Sequence, residues 1–269
     1  MTKIHNETAE LIDYRIPVDN ACDESQLSEY ISKLKPHQNI LHPYACVKEG
    51  KSLWLVYKVT AKGATLRTYI LDKPKTPRLS HILFHSNRLN PIQTLLQLID
   101  GYEFLLNNHM LTNQSNINPD YIWIEPGEKA FVINTIESMT NEKMLSTTFW
   151  SPEMLSKYNH AAFYDDAPEG QHASVNNLAS KLKRYDTRPS TISTVYSLGL
   201  VLYFIVAKRE PFEGTRVNVY EKPHMHCIND ERMKQYILTA IDPDARERPT
   251  LQQYREYLLD SHLSACVIS

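Results

Sequence analysis

The sequence predicts a mixed α+β fold in which a small, strand-rich part comes first and a larger, mainly helical part follows. Short apolar runs separated by turn residues fill residues 1–60, a pattern that is typical of strands. Long apolar stretches at helical spacing dominate the remainder, and 91–110 is the clearest of them. With 269 residues, the chain is long enough to bury a substantial core in one large domain or two small lobes.

Each element of the first part has its own signal. The loose alternation in 11–18 predicts a strand, and 24–34 has the spacing of an amphipathic helix. Two apolar runs, 40–47 and 53–59, follow on either side of a turn that contains Gly50. Because apolar runs around a glycine turn favour antiparallel pairing, these two runs predict a hairpin.

The second part begins with two short strands and continues with helices. Residues 122–124 and 130–133 predict strands around a turn that contains Gly127. Residues 195–206 are almost wholly apolar, which predicts a buried helix. A final helix is expected at 250–259, behind a proline.

The composition indicates an ordinary soluble globular protein. Hydrophobic residues make up 42%, charged residues 22%, and the net charge is −2. The charge balance predicts no nucleic-acid binding, and no apolar stretch resembles a signal peptide or a membrane span. The four cysteines have no paired spacing, so we expect a reducing, cytoplasmic environment.

One segment invites a zinc interpretation. It runs His224-Met225-His226-Cys227. Histidines at i and i+2 point in different directions on a helix, and no second pair of ligands follows at zinc spacing. We therefore expect a loop or a helix surface here, with no metal and no cofactor.

Six segments, read in order, resemble the eukaryotic protein kinase family across nearly the whole chain. In the first half of the chain, 37–40 resembles the turn after the family's αC helix, and 53–70 resembles strand five together with the hinge and a short helix. In the second half, 148–153 resembles the end of the activation segment and 195–199 the start of the buried αF helix. The last two segments are 208–212, which resembles the Pro-Phe loop, and 242–250, which contains the Arg-Pro-Thr signature. The resemblance implies a two-lobed fold with a truncated β-rich N-lobe at about 1–60 and a mainly helical C-lobe at about 61–260. Residues 261–269 would form an accessible tail.

The same resemblance assigns a structural role to two charged residues. In the family, the glutamate that aligns with Glu153 pairs with the arginine that aligns with Arg248. A buried pair of this kind is costly to break by removing one partner. We expect this ion pair to hold the fold together and to take no part in chemistry.

The phosphate-binding parts of the family are missing or altered. A glycine-rich loop would let backbone amides approach the phosphates, yet no glycine precedes Gly50. Only 28 residues precede Glu29, the candidate for the αC glutamate. Arg15 is the basic candidate for the phosphate-binding lysine; it could pair with Glu29 or be an exposed strand arginine. Arginine and lysine are not interchangeable at such a point charge.

The catalytic and metal-binding positions are degenerate as well. The segment 118–122 aligns with the family's catalytic loop, so that Asn116 stands where the catalytic aspartate belongs and Tyr121 replaces a metal-binding asparagine. Asn134 replaces the aspartate that holds magnesium. Tyr57 is placed near the gatekeeper position, where its bulk would narrow an adenine pocket.

These changes together imply a pseudokinase, a catalytically inactive relative of kinases that serves as a scaffold or regulator by binding a protein partner. Two alternatives remain open at this point: a divergent transferase that uses the cleft for other chemistry, and a module that binds a small anionic ligand there. Both would be tested first at Arg15, Glu29, Asn116 and Asn134.

The last four residues, Cys266-Val267-Ile268-Ser269, fit a C-a-a-X box of the farnesyl type. Prenylation would place a thioether on Cys266, and one prenyl chain gives only marginal membrane residence. A basic cluster in 157–191 could supply the second signal through anionic lipids; it consists of Lys181, Lys183, Arg184 and Arg188. We therefore expect a partly peripheral protein on a cytoplasmic membrane face of a eukaryotic cell, which can be a host cell.

Overall fold

The protein is described by a computed structural model, which covers residues 10–18, 23–71, 89–110, 117–135, 147–156, 189–214 and 220–266. The fold is mixed α+β, as the sequence predicts. The strands are β1 (Leu11–Val18), β2 (Ile40–Leu41), β3 (Ala45–Glu49), β4 (Ser52–Thr60), β5 (Ala64–Thr65), β6 (Ile122–Glu125) and β7 (Lys129–Ile133). The helices are α1 (Glu24–Ser32), α2 (Leu66–Leu71), α3 (Pro91–Asn107), α4 (Thr191–Ala207), α5 (Glu231–Ala240) and α6 (Leu251–Cys266).

The first sheet has three antiparallel strands in the order β1–β4–β3. The predicted strand at 11–18 is confirmed. The predicted hairpin forms between β3 and β4, but its first run, 40–47, is not one strand: Ile40–Leu41 pairs with β7 in the second sheet, and Ala45–Glu49 pairs with β4. Gly50 turns the chain between β3 and β4 with φ +62°, a conformation that glycine adopts without steric cost. Across β1 and β4, Tyr14 lies opposite Tyr57.

The second sheet has four strands in the order β2–β7–β6–β5. β6 and β7 form the expected hairpin, and Gly127 makes its turn with φ +85°. β2 pairs in parallel with β7, and Asn39 extends this pairing because its backbone oxygen accepts from Val132 N at 2.8 Å. The carboxyl ends of β2 and β7 therefore meet at one edge of the sheet.

The buried helix is longer than the sequence indicated. α4 begins at Thr191, because Ser190 and Ser193 form a capping box that satisfies the first backbone donors. The helix is buried on nearly all sides, and Gly199 allows α5 to approach closely. A Cβ at this glycine would lie 2.6 Å from Ala240 Cβ.

Two hydrophobic cores form around these elements. The larger core lies among α3, α4, α5, α6 and the second sheet, and it contains the fully buried Tyr102 and Phe204. The smaller core lies among β1, β4 and α1, and it includes Leu27. Tyr121 and Trp123, from the beginning of the β6–β7 hairpin, belong to this smaller core. The side chains at this boundary form the candidate site.

The last helix is longer than the sequence predicts. Thr250 caps it as expected, with its Oγ1 accepting from Gln253 N at 3.2 Å. The helix does not end at Leu259, however, and continues to Cys266. The sequence between 259 and 265 contains no glycine or proline that would stop it. No helix in the described ranges combines the length and apolar character needed to cross a membrane.

Candidate functional site at the boundary of the two cores

β1 alternates its side chains between two faces of the first sheet, and this decides the position of Arg15. Ile16 and Val18 point into the smaller core and are 4% and 7% exposed, and Tyr14 shares their face. Arg15 points to the opposite, outer face, where its guanidinium binds the Glu49 carboxylate. The inward position beside Arg15 therefore belongs to Tyr14, and Arg15 does not point toward the boundary of the cores.

Glu29 also lies away from this boundary. Its carboxylate accepts from Lys33 Nζ at 2.5 Å, one turn further along α1, and both side chains are largely exposed. The ion pair between Arg15 and Glu29 is therefore not formed. The exposed Arg15, which the sequence left as an alternative, is the arrangement observed.

Four aromatic side chains fill the boundary instead: Tyr14, Tyr57, Tyr121 and Trp123, here called the aromatic cluster. The ring centroids of Tyr14 and Trp123 are 5.0 Å apart, and those of Tyr14 and Tyr57 are 6.5 Å apart. Trp123 is 4% exposed and Tyr57 is completely buried. Gly63 packs against the indole, since a Cβ at this position would lie 2.4 Å from Trp123 Nε1.

The aromatic cluster is uncharged at neutral pH. Burial raises the pKa of Tyr57 well above its ordinary value, and neighbouring tyrosines add to the effect. Burial and the nearby Asp120 carboxylate raise the pKa of Tyr121 to about 12. Phenol and indole groups without charge are poor partners for magnesium or for phosphate.

Asn134 lies at the end of β7 and is tied into the protein through its backbone and its side chain. Its backbone N donates to the Leu41 backbone oxygen at 2.9 Å. The Tyr57 hydroxyl donates to the backbone oxygen of Asn134 at 2.9 Å. The Asn134 side-chain nitrogen lies 3.0 Å from Nδ1 of His42, which follows β2. Burial lowers the pKa of His42, so the imidazole is neutral at neutral pH. The position therefore carries no negative charge that could hold a cation.

Three polar atoms at this sheet edge have no hydrogen bond of normal geometry among the described residues, although the Lys35 backbone lies near His42 and the Tyr30 side chain lies near Asn134. They are His42 Nε2, Asn134 Oδ1 and Thr135 Oγ1. Asn134 and Thr135 are 1% and 3% exposed, so bulk water does not replace the missing partners. Buried polar groups without partners are unfavourable, and in native proteins they often mark a bound water or ligand.

Tyr121 ends a short 3₁₀ turn, Pro119–Tyr121, that Asn118 caps. Asp120 within this turn faces Arg67 of α2, with Nε 2.7 Å from Oδ1. The same guanidinium binds the Glu210 carboxylate. Arg67 therefore forms ion pairs with two carboxylates, those of Asp120 and Glu210.

The predicted ion pair between Glu153 and Arg248 is present. The two terminal guanidinium nitrogens of Arg248 donate to the two carboxylate oxygens of Glu153 at 2.8 and 2.9 Å. The Arg248 side chain is 0% exposed, lies over the ring of Tyr196, and donates to the backbone oxygens of Asp242 and Pro243. Burial acts to raise the pKa of Glu153, but the hydrogen bonds from Arg248 and other neighbours outweigh it and keep the pKa below its ordinary value.

Several predicted site residues lie outside the described part of the chain. Asn116 is one, and so are the four members of the basic cluster, Lys181, Lys183, Arg184 and Arg188. The backbone of Cys266 ends α6, while its side chain and residues 267–269 are outside the described part.

The histidine segment forms a short 3₁₀ turn, Met225–Cys227, and the Cys227 thiol donates to the backbone oxygen of His224 at 2.9 Å. Among the described residues, no three His, Cys, Asp or Glu side chains are grouped so that they could hold a metal ion.

Sequence reasoning missed Tyr14 and Trp123, which pack against each other at the centre of the aromatic cluster. A signal for Tyr14 was available, because strand parity places it on the same face as Ile16 and Val18. For Trp123 the sequence shows only a short apolar strand, and its partner comes from a distant strand. Comparison of the chain with models of protein families finds no match, and comparison with curated protein sequences finds none either.

Proposed function

We propose that this chain is a kinase-like protein without phosphoryl-transfer activity, which acts by binding a protein partner. The observation that carries the proposal is the aromatic cluster. In a kinase, the boundary between the small and large lobes holds the nucleotide, its phosphates and magnesium. Here the inward position of β1 is Tyr14, which packs on Trp123 at 5.0 Å and contributes neither a positive charge nor a phosphate-binding donor array.

The arrangement of the elements supports a two-lobed, kinase-like fold for this function. A strand, a helix and a hairpin surround the smaller core, and a short connection leads to helices around the larger core. The Glu153–Arg248 contact joins two of the segments that resemble the kinase family. A catalytic role, in contrast, would need a metal ligand at Asn134 and a basic group at Tyr14.

Thermal unfolding with nucleotide tests this part of the proposal. A ligand raises the melting temperature only by binding the native state. We expect no change with millimolar ATP and magnesium, and no transfer of phosphate to a generic acceptor protein. A saturable shift that requires magnesium would refute the loss of nucleotide chemistry.

A second candidate, binding of a small ligand at the same boundary, is favoured by one observation. His42, Asn134 and Thr135 present buried polar atoms without well-formed partners at the carboxyl ends of the parallel strands β2 and β7. Ligands commonly bind at such strand ends. A magnesium-independent shift with adenosine or inorganic phosphate, abolished in Asn134→Ala, would favour this candidate over a purely protein-binding role.

We further propose that the chain is prenylated at Cys266 and resides partly on a cytoplasmic membrane face. The support is the C-terminal Cys266-Val267-Ile268-Ser269 sequence. α6 reaches Cys266, so the modifying enzyme would have to bind the last residues beyond the helix end. One farnesyl chain gives reversible membrane binding, and a second signal is needed for stable residence.

Mass spectrometry of the C-terminal peptide from protein made in eukaryotic cells tests the lipid directly. We expect a farnesyl thioether, usually with loss of Val267–Ser269, and loss of the membrane fraction in Cys266→Ser. Joint neutralisation of Lys181, Lys183, Arg184 and Arg188 should lower the membrane fraction without changing the lipid. An unmodified terminus in most molecules would leave a protein without this anchor.

A further inference from the structure

β1 is an edge strand whose outer hydrogen-bonding groups are directed away from the sheet. The backbone oxygen of Glu10 accepts from Ala61 N at 2.8 Å, which fixes the even-numbered residues of β1 as those that bond to β4. Residues 11, 13, 15 and 17 therefore direct their backbone groups to the other side. Pro17 is one of these odd-numbered residues, and a proline fits there because it has no N–H and would leave a hydrogen bond to β4 unmade on the other side. No other described strand pairs with that side of β1.

This edge also exposes apolar surface. Leu11 is 59% exposed and Ile12 is 41% exposed, among the largest values for apolar side chains in the described part of the chain. An eight-residue edge strand with exposed apolar residues is a template for pairing with another strand. Charged residues and a proline limit which strand can pair with it.

We propose that β1 pairs antiparallel with β1 of a second copy of this chain, about a twofold axis through Tyr14. In this register Asp13 lies opposite the partner's Arg15, and Arg15 lies opposite the partner's Asp13. Both are residues whose backbone groups face the edge. The pairing would join the two three-stranded sheets into one continuous six-stranded sheet.

Charge selects this register over its neighbours. The nearest registers that keep the same backbone groups paired differ by two residues. One places Asp13 opposite the partner's Asp13, and the other places Arg15 opposite the partner's Arg15. Like charges directly opposite each other are unfavourable. Because side chains alternate along a strand, Asp13 and Arg15 lie together on the outer face of the sheet, where these cross-strand partners would meet. The proposed register forms about six backbone hydrogen bonds, since Pro17 lacks a donor but its oxygen still accepts from the partner's Leu11.

The closing experiment uses charge reversal in two separate variants. Arg15→Glu places two acids opposite each other in its own dimer, and Asp13→Arg places two bases opposite each other. When the two variants are mixed, every acid faces a base again. This rescue depends on the register and not on the general charge of either protein. The unlipidated full chain made in bacteria is suitable, so the result is independent of the proposed prenylation.

Sedimentation of each protein at roughly 100 µM gives the outcome. We expect wild type at twice the chain mass of 31.2 kDa, a rise of about tenfold or more in the dissociation constant for each single variant, and a dimer in the mixture. Glu49→Gln, which removes only the intramolecular partner of Arg15, should dimerise as wild type does. Melting curves check that each variant is folded. A monomeric wild type, unaltered single variants, or a mixture without rescue would each overturn the proposal.

Discussion

Replacement of Arg248 by alanine is expected to destabilise the protein more than any other single removal of a charge in the described part of the chain. The side chain is 0% exposed and makes a two-point contact with Glu153. It also donates to the backbone oxygens of Asp242 and Pro243. Alanine removes all of these donors at once and leaves their acceptors in place.

The size of this destabilisation follows from the Glu153 carboxylate that remains without its partner. Breaking a buried ion pair by removing one partner costs about 3–5 kcal/mol, because the remaining charge is desolvated and unpaired. The Glu153 side chain is 34% exposed, so water compensates part of this loss and the lower end of the range applies. For a chain of this size, about 3 kcal/mol corresponds to a fall of roughly 6–12 °C in the melting temperature.

Chemical and thermal unfolding measure this change, and Arg246→Ala provides a matched control. Arg246 is two positions earlier in the sequence and also bonds to a carboxylate, Asp244, but its side chain is 87% exposed. Water replaces such a partner, so Arg246→Ala should unfold close to the wild-type midpoint. If Arg248→Ala does the same, the reasoning from burial and the alignment of the second part of the chain are both refuted.

Three further predictions concern the same ion pair and two other contacts. The contribution of the Glu153–Arg248 pair to the unfolding free energy should depend on pH, because the pKa of Glu153 in the folded state lies below its ordinary value of 4.5. The stabilisation is present above that ordinary value and is lost as the pH falls through the folded-state pKa. The difference in unfolding free energy between wild type and Arg248→Ala should therefore narrow in acid, and a constant difference down to pH values well below 4.5 would contradict this. Tyr57→Phe removes the hydrogen bond to the Asn134 backbone oxygen and should lower the unfolding free energy by about 1 kcal/mol, whereas the exposed Tyr44→Phe should change it little. Gly199→Ala should cost about 1–3 kcal/mol, because the added Cβ would meet Ala240 at 2.6 Å; an increase in stability, as helix propensity alone predicts, would show that α5 moves away freely.

The local signals of the sequence located most elements. The strand at 11–18 has the predicted bounds, and Gly50 and Gly127 mark turns that require positive φ. The apolar run at 195–206 identified the buried helix but not its beginning, because capping by Ser190 depends on a polar contact with Ser193 that hydrophobic periodicity does not report. The predicted end of the last helix, Leu259, is too early, because no glycine or proline stops α6 before Cys266.

For the candidate site, the sequence and the tertiary structure determined different features. The sequence by itself determined that positions 121 and 134 carry a tyrosine and an asparagine, which have no charge to offer a metal ion or a phosphate at neutral pH, and no folding can alter these identities. It also paired Glu153 with Arg248, residues 95 positions apart, through the family resemblance. The alternation of side chains along β1 and the packing of Trp123 decided which side chains meet at the boundary of the two cores.

Only the tertiary structure showed that Arg15 points outward and that Tyr14 takes the inward position. The physical reason is that a side chain's face depends on the register between distant strands, and a change of one residue reverses it. Which residues are present is a property of the sequence alone. Which of them meet at the boundary of the two cores is decided by pairing and packing between segments that the sequence keeps far apart.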